Sequence, residues 1–209
     1  IIDGNIVLNT VGSCEGTNVP SDYTLAQGIF IDDNGVNISV TNNTVANGSN
    51  SGIKIHNARN ITVKNNTLYN NGKGTTSSSK GQIELQNNNL SLTQIRNIVL
   101  ENNIFFSRTS DQLTYLYSSI LDLADIELFG SSDYNYYSRP LNDDNSINIL
   151  SSDNGWPGNF YNVTTWHAFT GQDANSKASP KAIKSVDELR FEYNASTSSK
   201  TIALDAKYI

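Results

Sequence analysis

The sequence is poor in the residues that cross-link chains, bind metals or rigidify loops. It has one cysteine, two histidines and four prolines among 209 residues, and it has no methionine. Cys14 therefore cannot form an internal disulfide, and no CxxC or His-rich segment beside it indicates a metal site. Because translation starts at methionine, a chain that begins at Ile1 and contains none is expected to be part of a longer protein.

Charge and long apolar runs are also scarce. Charged residues make up 16% of the chain, the net charge is -6, and no basic stripe is present. Since proteins that bind nucleic acid need cationic surfaces for the phosphates, nucleic acid is not an expected partner. No segment approaches the run of about 18 apolar residues that a membrane-spanning helix requires, so we expect no membrane span.

Asparagine is the residue in excess, with 30 copies, and much of it lies in a repeat. Three segments, 37–45, 60–68 and 97–105, share an alternating strand followed by an asparagine pair. The first two start 23 residues apart and the third starts 37 residues later, which is one period plus an insertion. A repeat of this length predicts one coil of a solenoid. The regularly spaced Ile, Val and Leu argue against disorder.

A second set of short strands precedes the first, at residues 28–32, 52–56 and 81–85, and each begins with glycine. Two strands in each coil, joined by corners rich in Asn and Gly, predict a parallel β-helix. Glycine is expected here because it allows the backbone angles of tight corners. A weaker fourth repeat is predicted at residues 125–129 and 133–137.

The asparagine pairs recur where each predicted strand ends. Asparagine tolerates a left-handed backbone, and its amide can hydrogen-bond the equivalent residue one coil away. We therefore predict a structural asparagine ladder that includes Asn43, Asn66 and Asn103.

The pattern changes towards the end of the chain, and it predicts three regions. Residues 1–140 are expected to form the coils, and residues 141–180 a capping segment. Its short helix would lie near residues 162–171, with Thr164 near the N-cap and with Trp166 and Phe169 on its apolar side. Residues 181–209 contain two predicted strands, 189–193 and 201–205. They would form an edge hairpin or begin a further, truncated β-domain.

These repeats, and the stretch 165–176 with Ser179 and Pro180, resemble the secreted right-handed parallel β-helix proteins. That superfamily includes pectate lyases, alginate lyases and polygalacturonases. The resemblance implies an all-β, right-handed parallel β-helix with a short C-terminal capping helix and a terminal β-hairpin. It further implies a bacterial protein that is secreted or at the cell surface, handles polysaccharide and is a monomer. No cofactor is evident, although Ca²⁺ would be expected if the protein were a lyase.

If the Gly-led strands stack in register, their outward residues form two neighbouring columns. The first column contains Phe30, Lys54 and Glu84, and the second contains Asp32, His56 and Gln86. His56 or Lys54 could abstract the proton next to a uronic acid carboxyl group, with Glu84 nearby. Arg59 or Lys54 could offset the carboxylate charge. The alternative is an exposed Lys54–Glu84 ion pair beside a surface histidine.

Tyrosines are dense in the later repeats. Tyr115 and Tyr117 could stack on sugar rings, and Phe30, Asp32, Arg59 and Gln86 complete the candidate binding residues. Alternatively, the tyrosines pack beneath the cap. The sequence thus leaves two functions open: a polysaccharide lyase or glycoside hydrolase, and a noncatalytic structural or adhesive solenoid. No protein metal ligands are predicted.

Overall fold

The computed structural model describes residues 1–12, 26–74, 80–188 and 198–203. Within these residues the chain winds into coils, and each complete coil contributes one strand to each of three sheets. The first coil contains β1 (Ile2–Asp3), β2 (Ile6–Leu8) and β3 (Ile29–Ile31). The second contains β4 (Val36–Thr41), β5 (Thr44–Ala46) and β6 (Ile53–His56). The third contains β7 (Arg59–Lys64), β8 (Thr67–Tyr69) and β9 (Gly81–Asn87).

The later coils are less regular. The fourth contains β10 (Arg96–Glu101), β11 (Ile104–Phe106) and β12 (Leu113–Ser119). The short helix α1 (Leu123–Ile126) and a 3-10 turn (Glu127–Phe129) precede β13 (Gly130–Asp133) and β14 (Tyr136–Ser138). After a 3-10 turn (Asp143–Asn145) come β15 (Ile147–Leu150), β16 (Asn159–Tyr161), α2 (Val163–Thr170) and β17 (Lys177–Ala178). A last 3-10 turn covers Val186–Glu188.

The strands stack with their equivalents from neighbouring coils. Sheet 1 has the order β1-β4-β7-β10-β13, sheet 2 the order β2-β5-β8-β11-β14-β17, and sheet 3 the order β3-β6-β9-β12-β15-β16. All pairs are parallel except β15 with β16. The predicted parallel β-helix is confirmed, and sheets 2 and 3 continue past residue 140.

Each coil has three strands rather than the predicted two. The additional short strand follows each asparagine pair and forms sheet 2. The first asparagine of each pair has a left-handed backbone, with φ of 56° at Asn42, 57° at Asn65 and 56° at Asn102. The pair therefore turns the chain from sheet 1 into sheet 2 instead of ending the regular structure. Three residues are too few for a clear alternating pattern, which is why the sequence did not reveal these strands.

The predicted asparagine ladder is confirmed and is longer than expected. The Nδ2 atom of each residue donates to the Oδ1 atom of the next, at 2.9 Å for Asn43 to Asn66 and 3.0 Å for Asn66 to Asn103. The same Oδ1 atoms also accept from the backbone N–H of the preceding ladder residue. Asn5 and Asn135 extend the ladder by one coil at each end. The ladder satisfies polar groups that are otherwise buried at the corner.

The interior is a set of stacked apolar columns. One column of sheet 3 contains Ile29, Ile53, Ile83, Tyr115 and Ile147, and its neighbour contains Ile31, Ile55, Leu85, Tyr117 and Ile149. These side chains are at most 7% exposed. Burial of each large aliphatic side chain contributes about 1.5–3 kcal/mol, so these columns supply the main favourable term in folding.

The glycines that lead the sheet 3 strands serve a different purpose from the predicted one. Gly28, Gly52 and Gly81 do not have the positive φ that a left-handed corner requires. Instead they lie where neighbouring coils approach closely. A Cβ added at Gly52 would lie 2.7 Å from the carbonyl oxygen of Gln82. These positions need glycine because there is no space for a side chain.

The fourth repeat exists as β13 and β14, but its first strand was predicted too early in the chain. Residues 125–129 are not a strand but part of α1 and the following 3-10 turn, because Asp122 caps the helix by accepting from the N–H of Asp125. Phe129 is fully buried. In sheet 1, Glu101 is aligned with Asp133 of β13.

The predicted capping helix is α2. Its N-cap is Asn162 rather than Thr164. The Oδ1 atom of Asn162 accepts from the N–H of Thr165, and the Oγ1 atom of Thr165 accepts from the N–H of Asn162. Gly171 follows the helix with φ of 71°. The predicted strand 189–193 lies outside the described residues, as do Cys14 and residues 204–205. Residues 201–203 form no strand.

Candidate functional site

Sheet 3 brings together most of the residues that the sequence singled out. Phe30 lies opposite Lys54, Lys54 opposite Glu84, and His56 opposite Gln86. The two predicted outward columns therefore exist in the predicted register. On later coils they continue with Leu116 and Asn148 in the first column and Ser118 and Leu150 in the second.

Lys54 and Glu84 form a buried ion pair, not the exposed pair that the sequence suggested as the alternative. The Nζ atom lies 3.0 Å from Oε1 of Glu84. Lys54 is 8% exposed and Glu84 is 2% exposed. The hydroxyl of Ser51 donates to Oε2 of Glu84 at 2.5 Å, and the Lys54 ammonium lies 6.0 Å from the centre of the Phe30 ring. Because each charge neutralises the other, this pair is suited to holding the coils in register.

His56 faces two carboxylates. Its Nδ1 atom lies 2.8 Å from Oδ1 of Asp32 and 3.2 Å from Oδ1 of Asp33. The hydrogen bond from His56, followed by the backbone N–H of Asp33, lowers the pKa of Asp32 below its ordinary value. The Phe30 ring stacks near the imidazole at 6.2 Å and 23°. Asp33 was missed as a candidate, although it directly follows Asp32 and precedes a turn at Asn34.

Three predicted binding residues lie elsewhere. Arg59 begins β7 in sheet 1 and is exposed, so it is on a different face from Lys54 and His56. Tyr115 and Tyr117 are fully buried in the core and cannot stack on a sugar. They align with the inward residues Ile83 and Leu85, and strand alternation therefore points them inward. Burial raises the pKa of both phenols.

A groove of about 750 Å³ lies on the outer face of sheet 3. Its floor comprises outward residues of β9, β12 and β15: Glu84, Gln86, Leu116, Ser118, Asn148 and Leu150. Two aromatic side chains border it and remain exposed, Trp156 at 78% and Phe160 at 43%. Neither was predicted as a binding residue. The signal available in the sequence was a tryptophan in the polar stretch 151–159, where no core strand is predicted.

The groove also contains a buried cation. Arg139 is 4% exposed and donates to the carbonyl oxygens of Ser110 and Asn145. Among the residues that the structure describes, its Nε has no partner. Burial lowers the pKa of Arg139 to about 10. Nearby, Lys80 lies 3.0 Å from Asp111. Burial raises the pKa of Asp111, but hydrogen bonds from Thr109 and Lys80 lower it to below its ordinary value.

The comparisons with known proteins bear on the fold. A family model for the right handed beta helix region matches residues 1–90. The fold is a right-handed parallel β-helix. No curated protein and no solved structure matches the chain. In the part of the chain that the structure describes, the helices of this β-helix are too short and too polar to cross a membrane.

Proposed function

We propose that this β-helix binds a polysaccharide in the groove on sheet 3. The observation that supports the proposal is the pair of exposed aromatic residues, Trp156 and Phe160, at a groove with a polar and apolar floor. Aromatic rings offer flat apolar surface with little conformational entropy to lose, which suits the apolar faces of sugar rings. Gln86, Ser118 and Asn148 provide hydrogen-bonding groups for hydroxyls. The volume is typical of ligand sites.

The groove runs across several coils, which suits an extended polymer. It reaches from β9 through β12 and β15 to β16. Adjacent strands in a sheet are about 4.8 Å apart, so four strands span about 14 Å, enough for more than one sugar unit. A polysaccharide ligand also fits the proposed location of the protein outside a bacterial cell or on its surface.

Binding is favoured over catalysis by the state of the predicted catalytic residues. Lys54 and Glu84 neutralise each other, and Glu84 also accepts from Ser51. A general base must reach the substrate, whereas Lys54 is 8% exposed and its Nζ atom is held 3.0 Å from Glu84. A lyase or hydrolase remains the alternative function. It predicts that turnover of a bound polymer is lost in Lys54→Ala or His56→Ala.

The proposal is tested by affinity electrophoresis and calorimetry on neutral and uronic acid polysaccharides. We expect Trp156→Ala and Phe160→Ala each to weaken binding about tenfold, the loss usual for an aromatic anchor. Leu128→Ala is the matched control, because Leu128 is 61% exposed and lies outside the groove. Equal binding by folded Trp156→Ala and Phe160→Ala proteins would contradict the proposed site. Release of new chain ends by the native protein would support the enzyme alternative.

A further inference from the structure

A second cluster on sheet 3 has the composition of a metal site. Asp32, Asp33 and His56 each place one ligand atom within 4.8 Å of the others. The cluster is more than a group of acids, because an imidazole nitrogen faces both carboxylates. The cluster lies beside the groove rather than in it. Its three members do not line the groove, whereas Gln86, which is aligned with His56, does.

The fold fixes the three side chains from two adjacent coils. His56 ends β6, and Asp32 and Asp33 directly follow β3, the neighbouring strand of sheet 3. The turn after the two acids is fastened by backbone hydrogen bonds, from Asn34 to Asn57 at 2.9 Å and from Gly35 to Asp32 at 3.0 Å. With the Phe30 ring against the imidazole, the ligands are largely held in place before any ion arrives.

The spacing of the ligand atoms agrees with coordination of one ion. Ligands that bind a metal at about 2.1 Å are about 3.0 Å apart at octahedral angles and about 3.4 Å apart at tetrahedral angles. The observed separations from Nδ1 of His56 are 2.8 Å to Asp32 and 3.2 Å to Asp33. The carboxylates are 60% and 46% exposed, so solvent can complete the coordination sphere on the outer side.

The local charge also permits a cation. The neighbouring ammonium of Lys54 is paired with Glu84 at 3.0 Å, which reduces its repulsion of an ion. Two carboxylates supply two negative charges. Within the described residues the Nε2 atom of His56 has no hydrogen-bond partner.

We propose that Asp32, Asp33 and His56 bind one divalent transition-metal ion such as Zn²⁺, Co²⁺ or Mn²⁺. A single imidazole with two carboxylates and open positions is the kind of ligand set that such ions accept. Ca²⁺ and Mg²⁺ prefer all-oxygen sites, and the imidazole therefore selects against them. The site would tie the loop after β3 to the next coil.

The experiment uses metal-free protein and titrates it with Zn²⁺, Co²⁺ and Ca²⁺ by calorimetry. We expect one Zn²⁺ per chain, and Co²⁺ bound with visible absorption bands that report a nitrogen ligand. Asp33→Asn and His56→Ala should each weaken Zn²⁺ binding more than about tenfold, since even loss of an outer-shell group costs that much. Glu101→Gln is the matched control, because Glu101 pairs with Lys64 on sheet 1.

Three results would overturn the proposal. They are no Zn²⁺ binding at all, Zn²⁺ binding that persists in His56→Ala, and Ca²⁺ binding as tight as that of Zn²⁺. Circular dichroism confirms that each variant is folded. Should His56→Ala fail to fold, Asp32→Asn and Asp33→Asn decide the question, because both substitutions are exposed and nearly isosteric.

Discussion

The two ends of the coil are built differently. At the C-terminal end, α2 lies over the last coil and places Trp166 in the core, where it is fully buried. The indole ring contacts Tyr115, Phe129 and Tyr161 at 5.6 to 6.5 Å between ring centres. This cluster closes the apolar interior against water.

A buried carboxylate fastens the same end. Asp173 is 3% exposed and accepts from the Trp166 indole N–H at 2.9 Å and from Ser132 and Ser176 at 2.9 and 2.6 Å. Its backbone N–H donates to Ser132 at 2.7 Å. A buried charge without such donors would be strongly destabilising, so the cap depends on this set of bonds.

Among the described residues, less of the chain covers the first coil. β1, β2 and β3 are edge strands of the three sheets. Ile2 and Val7, the inward residues of β1 and β2, are only partly buried, whereas their aligned partners Val40 and Val45 are at most 1% exposed. Unpaired strand edges with exposed aliphatic residues are favourable sites for further strand pairing. The difference shows that the repeats supply the core columns, whereas the segment that covers the core at the C-terminal side lies outside the repeat.

The largest expected effect is at the cap. Trp166→Ala should lower the free energy of unfolding by about 3–5 kcal/mol, because it leaves a large cavity and removes a donor from Asp173. Urea denaturation measures the change. Trp166→Phe is the matched variant and should cost less, since it keeps the ring packing. In the first coil, Val7→Ala should cost less than Trp166→Ala, because Val7 is only partly buried. Equal losses at both ends would break the comparison.

The asparagine ladder gives a second test of the difference between the interior and the first coil. Asn66 is 1% exposed, and its Nδ2 donates to Asn103, Val40 and Lys64. Asn66→Ala should cost about 2–3 kcal/mol, because buried partners lose their bonds. Asn5→Ala removes an exposed end of the ladder and should cost less than about 1 kcal/mol. Chemical denaturation of both variants measures the two losses of unfolding free energy. A larger loss for Asn5→Ala than for Asn66→Ala would contradict the expected difference.

The smallest expected effect is a pH dependence at the cap. Burial raises the pKa of Asp133, but hydrogen bonds from Asn175 and from the Tyr134 N–H lower it by a larger amount. The pKa of Asp133 therefore lies below its ordinary value. A carboxyl whose folded pKa is depressed adds stability above its unfolded pKa of about 4, and this stability is lost as the pH falls through the folded value.

Asp133 therefore stabilises the native protein relative to Asp133→Asn by less than about 1 kcal/mol at pH 7, since the charge is exposed to solvent. Urea denaturation between pH 7 and about pH 2 should show this difference shrinking below about pH 4. If this stability difference grows as the pH falls, the predicted direction of the Asp133 pKa shift is wrong.

The sequence was most informative where a pattern repeats. The asparagine pairs predicted the ladder, and alternation in the Gly-led strands predicted the register of Lys54 with Glu84 and of His56 with Gln86. For Tyr115 and Tyr117 the sequence left two alternatives; the stacking surface is wrong and packing beneath the cap is confirmed, since their register with Ile83 and Leu85 points them inward. Prediction failed at residues 125–129, where Asp122 provides a helix cap that outweighs the strand-like alternation.

The residues of the candidate site also divide into those within the repeat and those outside it. Phe30, Lys54, Asp32 and His56 were found because they follow the repeat. Trp156 and Arg139 belong to irregular segments, and Phe160 belongs to the antiparallel strand β16. All three lie outside the repeat, so no spacing in the sequence connects them to the groove.

The sequence by itself determined a parallel β-helix stabilised by stacked aliphatic and asparagine columns, because each coil repeats the same local pattern. Only the tertiary structure decided which side chains meet across irregular connections: the groove, the closed C-terminal end and the Asp32, Asp33 and His56 cluster. The physical reason is that stacking depends on equivalent positions in successive coils, which a period in the sequence reveals. Contacts between unlike segments depend instead on where the whole chain places them.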